Sequence, residues 1–463
     1  MTRHLDLGRT LPLHGGGPSA ALRMPPHHLV THGVVVGMTG SGKTGLVFVL
    51  VEEALRAGIP TLLIDVKGDL PNLLLSFPMA QPAAFEPWVD AASPANAGRA
   101  PAELAAELAT ARDAGLVRAA MSPTDVEAYR ASVAVRVLTP GSTAGEPVHL
   151  TSSLEQRSPL WDVDLEAARA ELGAALSLVL RLVGRDPDPA RSRDHVLLAV
   201  LAERRLRAGQ TADLPGLLAD LDEPPIETVG ALAVDDFLSR SDRRALAAAL
   251  NSLLASPSVA TWREGAPLDV GAWLTPRDGR TPATIVSVAH LDEDDRALVL
   301  GLVMDAALAW VHTLSGTSAL RALIVFDEVY GFLPPHPANP PTKRPLVAMM
   351  KQARAYGVGV VVATQNPMDL DYRALSNAGV WFVGRLQTDA DRDRVVDGMA
   401  GDGDASRPKL AATIKRLAKR WFVVRDVHAG EGAVLLQPRW TVSHMKGPMT
   451  RAEIRRARGG VAS

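Results

Sequence analysis

The sequence predicts an α/β fold: a mainly parallel sheet with helices on both faces, plus a helical insertion. Three observations predict it. Short apolar runs such as Val34–Val36, Ile59–Val66 and Val358–Ala363 lack the alternation of a half-exposed sheet, so both faces of those strands should be covered. Helix-sized stretches separate the runs, which is the connection parallel strands require. Between about 155 and 260 the apolar spacing turns helical, and strands resume only afterwards.

The elements follow in order. Residues 1–27 read as a lead, broken by Gly15–Pro18 and Pro25–Pro26. The first part of the core, 28–150, opens with strand Val34–Val36. A helix from about Lys43 to Ala57 stops at Gly58, and strand Ile59–Val66 comes next. Gln81–Ala102 is rich in Ala and Pro and reads as a loop; two helices and a strand, Val133–Leu138, follow it. The insertion, 151–262, is helical. Leu165, Leu172, Leu176, Val179 and Val183 recur at three-, four- and seven-residue spacings over Asp164–Val183, and similar patterns cover His195–Ala208 and Arg243–Ala255. The second part of the core, 263–440, carries strands Ala283–Ala289, Leu323–Phe326, Val358–Ala363 and Val380–Val383. Trp421–Asp426 and Ala433–Gln437 predict a hairpin about the turn Ala429–Gly432. Residues 441–463 form a basic tail. The Arg/Lys-rich stretch from Arg439 to Arg458 reads either as a solvated end or as a binding arm.

Composition bounds the function. A chain of 463 residues that is 47% hydrophobic can bury a substantial core. A formal net charge of −2 excludes attraction of the whole molecule to nucleic acid, though not a local basic patch. With no cysteine there is no disulfide, thiolate metal site or cysteine nucleophile. The N-terminus lacks the apolar segment of a signal peptide, and no run approaches the roughly 18 apolar residues of a membrane span. A cytoplasmic protein with no membrane partner is the expectation.

Four segments carry chemistry. Gly37-Met-Thr-Gly-Ser-Gly-Lys-Thr44 matches GxxxxGK[ST] in full, between a strand and a helix. Glycines let backbone N–H groups converge on phosphate oxygens, Lys43 adds positive charge, and the Thr44 hydroxyl can ligate Mg²⁺. The ATP-binding set is therefore Thr39, Gly40, Ser41, Gly42, Lys43, Thr44 and Gly45. In Leu323–Phe332, a buried strand ends in Asp327 and Glu328, at the edge where open α/β sheets bind ligands. Asp327 would hold Mg²⁺ through water, and Glu328 would polarise the attacking water as general base. In Gly357–Pro367 another strand ends in Thr364 and Gln365, whose amide could sense the γ-phosphate by donating to one partner and accepting from another. Arg354 and Arg385 are candidates to neutralise transition-state charge, each with a surface salt bridge as the alternative. Asp65, at the end of the second strand, reads either as a residue orienting water or metal or as a loop contact. His32 and His290 show no metal-ligand spacing and read as structural.

With these segments in place, the chain resembles the HerA–FtsK superfamily of P-loop motor ATPases, most closely its HerA-like branch. The resemblance rests on THGVVVGMTGSGKTG, LLIDVKGDL, LIVFDEVYGFLPP, KQARAYGVGVVVATQNPMDLDYRALSNAGVWFVGRLQ and the closing PRWTVSHMKGPMTRAEI. It implies a RecA-like core, a homo-hexameric ring with ATP sites between subunits, and double-stranded DNA as substrate. It also implies a glutamine sensor at Gln365, an arginine finger best matched by Arg354 with Arg385 in reserve, and a nuclease or other effector protein as partner. Only 36 residues precede Gly37, where well-studied relatives carry a β-barrel, and the chain stops at Ser463, soon after the KGPMTR segment. A second class of function fits those departures and the low net charge: an oligomeric nucleotide switch that scaffolds a partner and moves no DNA. A small-molecule kinase ranks last, having no use for a water-activating Glu328.

Overall fold

The computed structural model describes residues 3–13, 17–79, 81–90, 93, 96, 98–155, 157, 160–256, 260–399, 407–430 and 432–461. The chain divides into two compact units. The first comprises Met1–Val137, Ala272–His290 and Leu314–Ser463; the second comprises Leu138–Gly271 and Leu291–Thr313.

The first unit is built on one mixed sheet of eleven strands. They are β1 (Leu5–Pro12), β2 (Ala20–Met24), β3 (Gly33–Val36), β4 (Thr61–Asp65), β5 (Val133–Leu138), β6 (Thr281–Ser287), β7 (Ala322–Asp327), β8 (Val358–Thr364), β9 (Val380–Val383), β10 (Phe422–Asp426) and β11 (Val434–Pro438). Their order is β2-β1-β11-β10-β9-β3-β8-β7-β4-β6-β5. From β9 to β6 every pairing is parallel, and from β9 to β2 every pairing is antiparallel. The strands β3, β4, β7, β8 and β9 are buried at every position, which is what their unbroken apolar runs require. Helix α1 (Lys43–Arg56) buries Leu46, Val47, Phe48, Val49, Leu50 and Val51 into the same core. This is the RecA-like α/β core that the sequence implied.

Three expectations change. Residues 5–24 are not merely a lead, because β1 and β2 extend the sheet beyond β11 and Leu5 and Leu7 are fully buried. Arg439 is neither a solvated end nor a binding arm. Its guanidinium is buried between Glu52 (3.0 Å) and Glu53 (2.9 Å) of α1, and Glu52 also accepts from the backbone N–H groups of Val442 and Ser443. Two carboxylates inside an apolar helix need such a cation, and removing Arg439 alone should cost about 3–5 kcal/mol. Part of the span read as a loop is helical, over Pro82–Phe85 and Glu86–Trp88, before α2 (Pro101–Arg118) and α3 (Pro123–Ser132). The turn expected at 429–432 includes Glu431, which lies outside the described residues.

The second unit is mainly helical. It contains α4 (Leu165–Leu182), α5 (Arg193–Arg207), α6 (Leu214–Asp222), α7 (Arg240–Ala255) and α8 (Glu293–His312). Asp164, Ser192, Asp213, Ser239 and Asp292 each cap the helix that follows by accepting a first-turn N–H. Such caps contribute about 1 kcal/mol apiece. The span 151–262 falls inside this unit, which also takes in the flanking residues and α8.

Candidate nucleotide site

The loop Gly37–Gly42 joins β3 to α1 at the carboxyl edge of the parallel strands. Gly37 N donates to Thr364 O (3.3 Å) and Met38 N to Arg385 O (2.9 Å), which ties the loop to the ends of β8 and β9. Gly40 and Gly42 have φ of 76° and 102°, a left-handed backbone that side chains resist. Gly42 is the N-cap of α1, and no side chain caps that terminus. The first-turn N–H groups are thus left for an outside acceptor, and the helix dipole favours an anionic one. Nothing lies within 4 Å of where a Cβ would stand on Gly40 or Gly45, and the buried Ser41 Oγ has no partner. The cradle fits phosphate.

Lys43 begins α1 and is 9% exposed. Burial and then the neighbouring Lys67 charge lower its ammonium to about 8, against the raising pull of Glu328 and Asp327. Thr44 follows, half-buried. Asp327 closes β7 in register with Asp65 at the end of β4. Burial pushes the Asp327 carboxyl up to about 7, and the charges of Asp65 and Asp69 add to it. Asp65 is fully buried and accepts from Ser287 Oγ (2.7 Å), Gly68 N (2.9 Å) and Leu70 N (3.3 Å), so it is a loop contact. Burial nevertheless raises it to about 6. Carboxylates crowded this way favour a cation beside Asp327. Among the described residues no three His, Cys, Asp or Glu side chains cluster as metal ligands. A magnesium ion held by phosphates, water, one hydroxyl and one carboxylate needs no such cluster.

Glu328 turns out of the strand with φ 65°, strained for a side chain of its size, and this aims its carboxylate along the sheet edge. Its Oε2 accepts from Lys67 Nζ (2.5 Å) and Gln365 Nε2 (2.7 Å), and its Oε1 from Gln365 N (3.3 Å). Gln365 Oε1 in turn accepts from the Thr39 hydroxyl of the phosphate loop. The amide therefore donates to one partner and accepts from another, and the chain Thr39–Gln365–Glu328–Lys67 spans the site. Burial raises the Glu328 carboxyl, but Lys67, Gln365 and Lys43 together hold it below its ordinary value. Lys67 was missed from the sequence, although it sits in the quoted LLIDVKGDL segment.

The two arginines part company. The Arg385 carbonyl is bonded to Met38, so that residue lies at the phosphate-loop edge. Arg354 lies in the turn Ala353–Tyr356 that leads into β8, at the opposite, amino edge. Seven strand residues separate that edge from Gln365, about 20 Å. Its side chain cannot reach a phosphate on its own Lys43. His32 stands at the amino edge too and accepts from Val360 N through Nδ1 (3.1 Å), a structural role.

Comparison with known proteins agrees with this geometry. The family model described as helicase HerA, central domain, matches residues 19–104. No curated protein sequence matches the chain. Among solved structures, VirB4 of Thermoanaerobacter pseudethanolicus is 12% identical, with a TM-score of 0.51, over 95% of this chain and 97% of its own. Plasmid coupling protein TrwB, in complex with the GTP analogue GDPNP, is 14% identical, with a TM-score of 0.52, over 97% of each chain. TrwB with the ATP analogue ADPNP has a TM-score of 0.50 at 14% identity, again over 97% of each chain. At these identities the structures speak to the fold. Fold and glycine cradle are those of a P-loop nucleotide-binding core. The partial match to the HerA central domain and the fold shared with VirB4 and TrwB are what the resemblance to the HerA–FtsK superfamily implied. Among the described residues no helix is long and apolar enough to cross a membrane.

Proposed function

We propose that the chain hydrolyses ATP to drive a homo-hexameric ring along double-stranded DNA. In this reading Thr39, Gly40, Ser41, Gly42, Lys43, Thr44 and Gly45 bind the phosphates, and Thr44 and Asp327 hold Mg²⁺. The ion would neutralise charge on the outer phosphates. Glu328 accepts the proton of the attacking water. Gln365, bonded at once to Thr39 and Glu328, relays the state of the γ-phosphate to the base. Lys67 acts through Glu328 as a positioning residue.

One observation carries the assembly: Arg354 lies on the sheet edge opposite Lys43. An arginine finger there can serve only a neighbouring subunit's phosphate, which fits a ring with its sites between subunits. Arg385, on the near edge, is the candidate within the subunit. DNA as the track is supported by the match to the HerA central domain. It is supported also by the fold shared with a plasmid coupling protein. A nuclease or other effector would be the partner the motor serves.

The test is steady-state ATP hydrolysis with and without double-stranded DNA at low and moderate salt. Stimulation that weakens as salt rises is expected, because contact in such a ring is mainly to phosphates. Turnover indifferent to DNA at both salts would overturn the motor in favour of a nucleotide switch that scaffolds a partner.

A further inference from the structure

A cavity of about 480 Å³ lies in the first unit beside β1 and β2, and neither Lys43 nor Glu328 lines it. Its walls carry Arg9 of β1, Arg23 of β2, Arg118 of α2, and Lys419 and Arg420 ahead of β10.

Sheet register brings the first two together. Arg9 stands opposite Ala21 in the β1–β2 pairing, and Arg23 is two residues on from Ala21, so both arginines project from one face. The Trp440 ring holds two more: the Arg118 and Arg420 guanidiniums lie 5.4 and 4.4 Å from its centre. Arg420 takes a left-handed backbone with φ 65°, and its N–H donates to Ser41 O (2.8 Å), which fixes that wall to the phosphate loop. The lining is therefore set before any ligand arrives, which lowers the cost of binding.

These charges go unanswered within the fold. Among the described residues none of the five cations forms an ion pair, and Asp6 is the one carboxylate on the lining. Arg439 also borders the cavity, but Glu52 and Glu53 already match it. Burial, and then the charge of Arg118, lowers the Arg420 guanidinium, as like charges held close require. Arg9, Arg23, Arg118 and Lys419 are exposed and Arg420 is half-buried, so a ligand can reach them. Cations that converge on one concavity focus a positive potential there, even in a chain whose net charge is −2.

We propose that this cavity binds a small anion carrying several phosphate groups, at a site separate from the nucleotide loop. Guanidinium forks match phosphate oxygens two at a time. A lone phosphate leaves most of the five cations unanswered, whereas linked phosphates answer them together. The volume is that of a small-molecule site, too little to admit a DNA duplex.

Calorimetric titration of the full chain with inorganic tripolyphosphate tests the assignment. Wild type is compared with the double variant Arg9→Glu, Arg23→Glu. The control is Arg191→Glu, Arg240→Glu, the same charge change at exposed positions of the second unit. The first double variant should lose one equivalent of tripolyphosphate, or bind it about tenfold or more weakly, while the control binds like wild type. Lys419→Glu, on another wall, should show the same loss, so the result does not hang on the two strands. Unchanged binding in these variants, or an equal loss in the control, would overturn the assignment. Lys43→Ala should keep the equivalent that Arg9→Glu, Arg23→Glu loses; if both remove the same one, the nucleotide loop is the sole site and the cavity binds nothing. A short double-stranded DNA is the second probe. Loss of DNA binding with tripolyphosphate binding intact would make the patch a nucleic-acid contact and overturn the small-anion assignment.

Discussion

The two edges of the parallel strands make unlike use of the same backbone. The carboxyl edge is crowded with charge: Lys43, Lys67, Asp65, Asp327 and Glu328 lie within one another's fields, and Gln365 links them to the phosphate loop. The amino edge is sparse. There Arg354 is exposed in a tight turn, and the nearby His32 is buried and kept neutral. An arginine about 20 Å from the phosphate cradle of its own chain is useless to that cradle and well placed for another. On the proposed function, this contrast would make ATP hydrolysis depend on company, one edge holding the nucleotide and the other completing a neighbour's site.

The strongest way to break the contrast is to disable the crowded edge. Lys43→Ala should remove productive nucleotide binding. Glu328→Gln should keep ATP and lower turnover by about a hundredfold or more, the usual scale of a general base. Unchanged turnover in the Gln variant would take Glu328 out of that role. Next comes Arg354→Ala, which should leave ATP affinity within about twofold and reduce turnover by about a thousandfold. Arg385→Ala sharpens the assignment, because the same loss there with Arg354→Ala silent would move the finger to the near edge.

A smaller effect is expected from Lys67. Lys67→Met should lower kcat by about tenfold with KM unchanged, since it acts through Glu328. Lys67→Arg should restore most of that loss; a residue that merely supported the fold would show no such split. The smallest effect belongs to the amino edge. Burial, then the charge of Arg354, lowers His32 from 6.5 to about 4. The unfolded chain takes up this proton first as pH falls, so the stability contributed by neutral His32 is full above about 6.5. It is lost progressively toward about 4 and amounts to about 2 kcal/mol by pH 5. Thermal melts between pH 7.5 and 5 should fall less steeply in His32→Asn, which keeps an acceptor for Val360 N–H. An identical slope would remove His32 from the account.

Much of this was legible in the sequence, for stated reasons. The parallel strands announce themselves as unbroken apolar runs, and the glycine loop, Asp327, Glu328 and Gln365 stand at strand ends where chemistry belongs. What escaped depends on partners far along the chain. Lys67 meets Glu328 across 261 residues, and no local spacing reports such a pair. Arg439 looked like part of a basic tail because its count was read without its partners, yet Glu52 and Glu53 inside FVLVEEALR already called for a buried cation. The strands β1 and β2 were hidden by a register break between Asp6 and Gly8, which interrupts their alternation.

The central claim, a site completed across subunits, is tested most directly by mixing Arg354→Ala with Lys43→Ala protein and measuring ATP hydrolysis. Each alone should be inactive. At equal amounts, about a quarter of the interfaces would join an intact cradle to an intact finger, and activity should return in proportion. Mixed assemblies that stay inactive at every ratio would contradict the account.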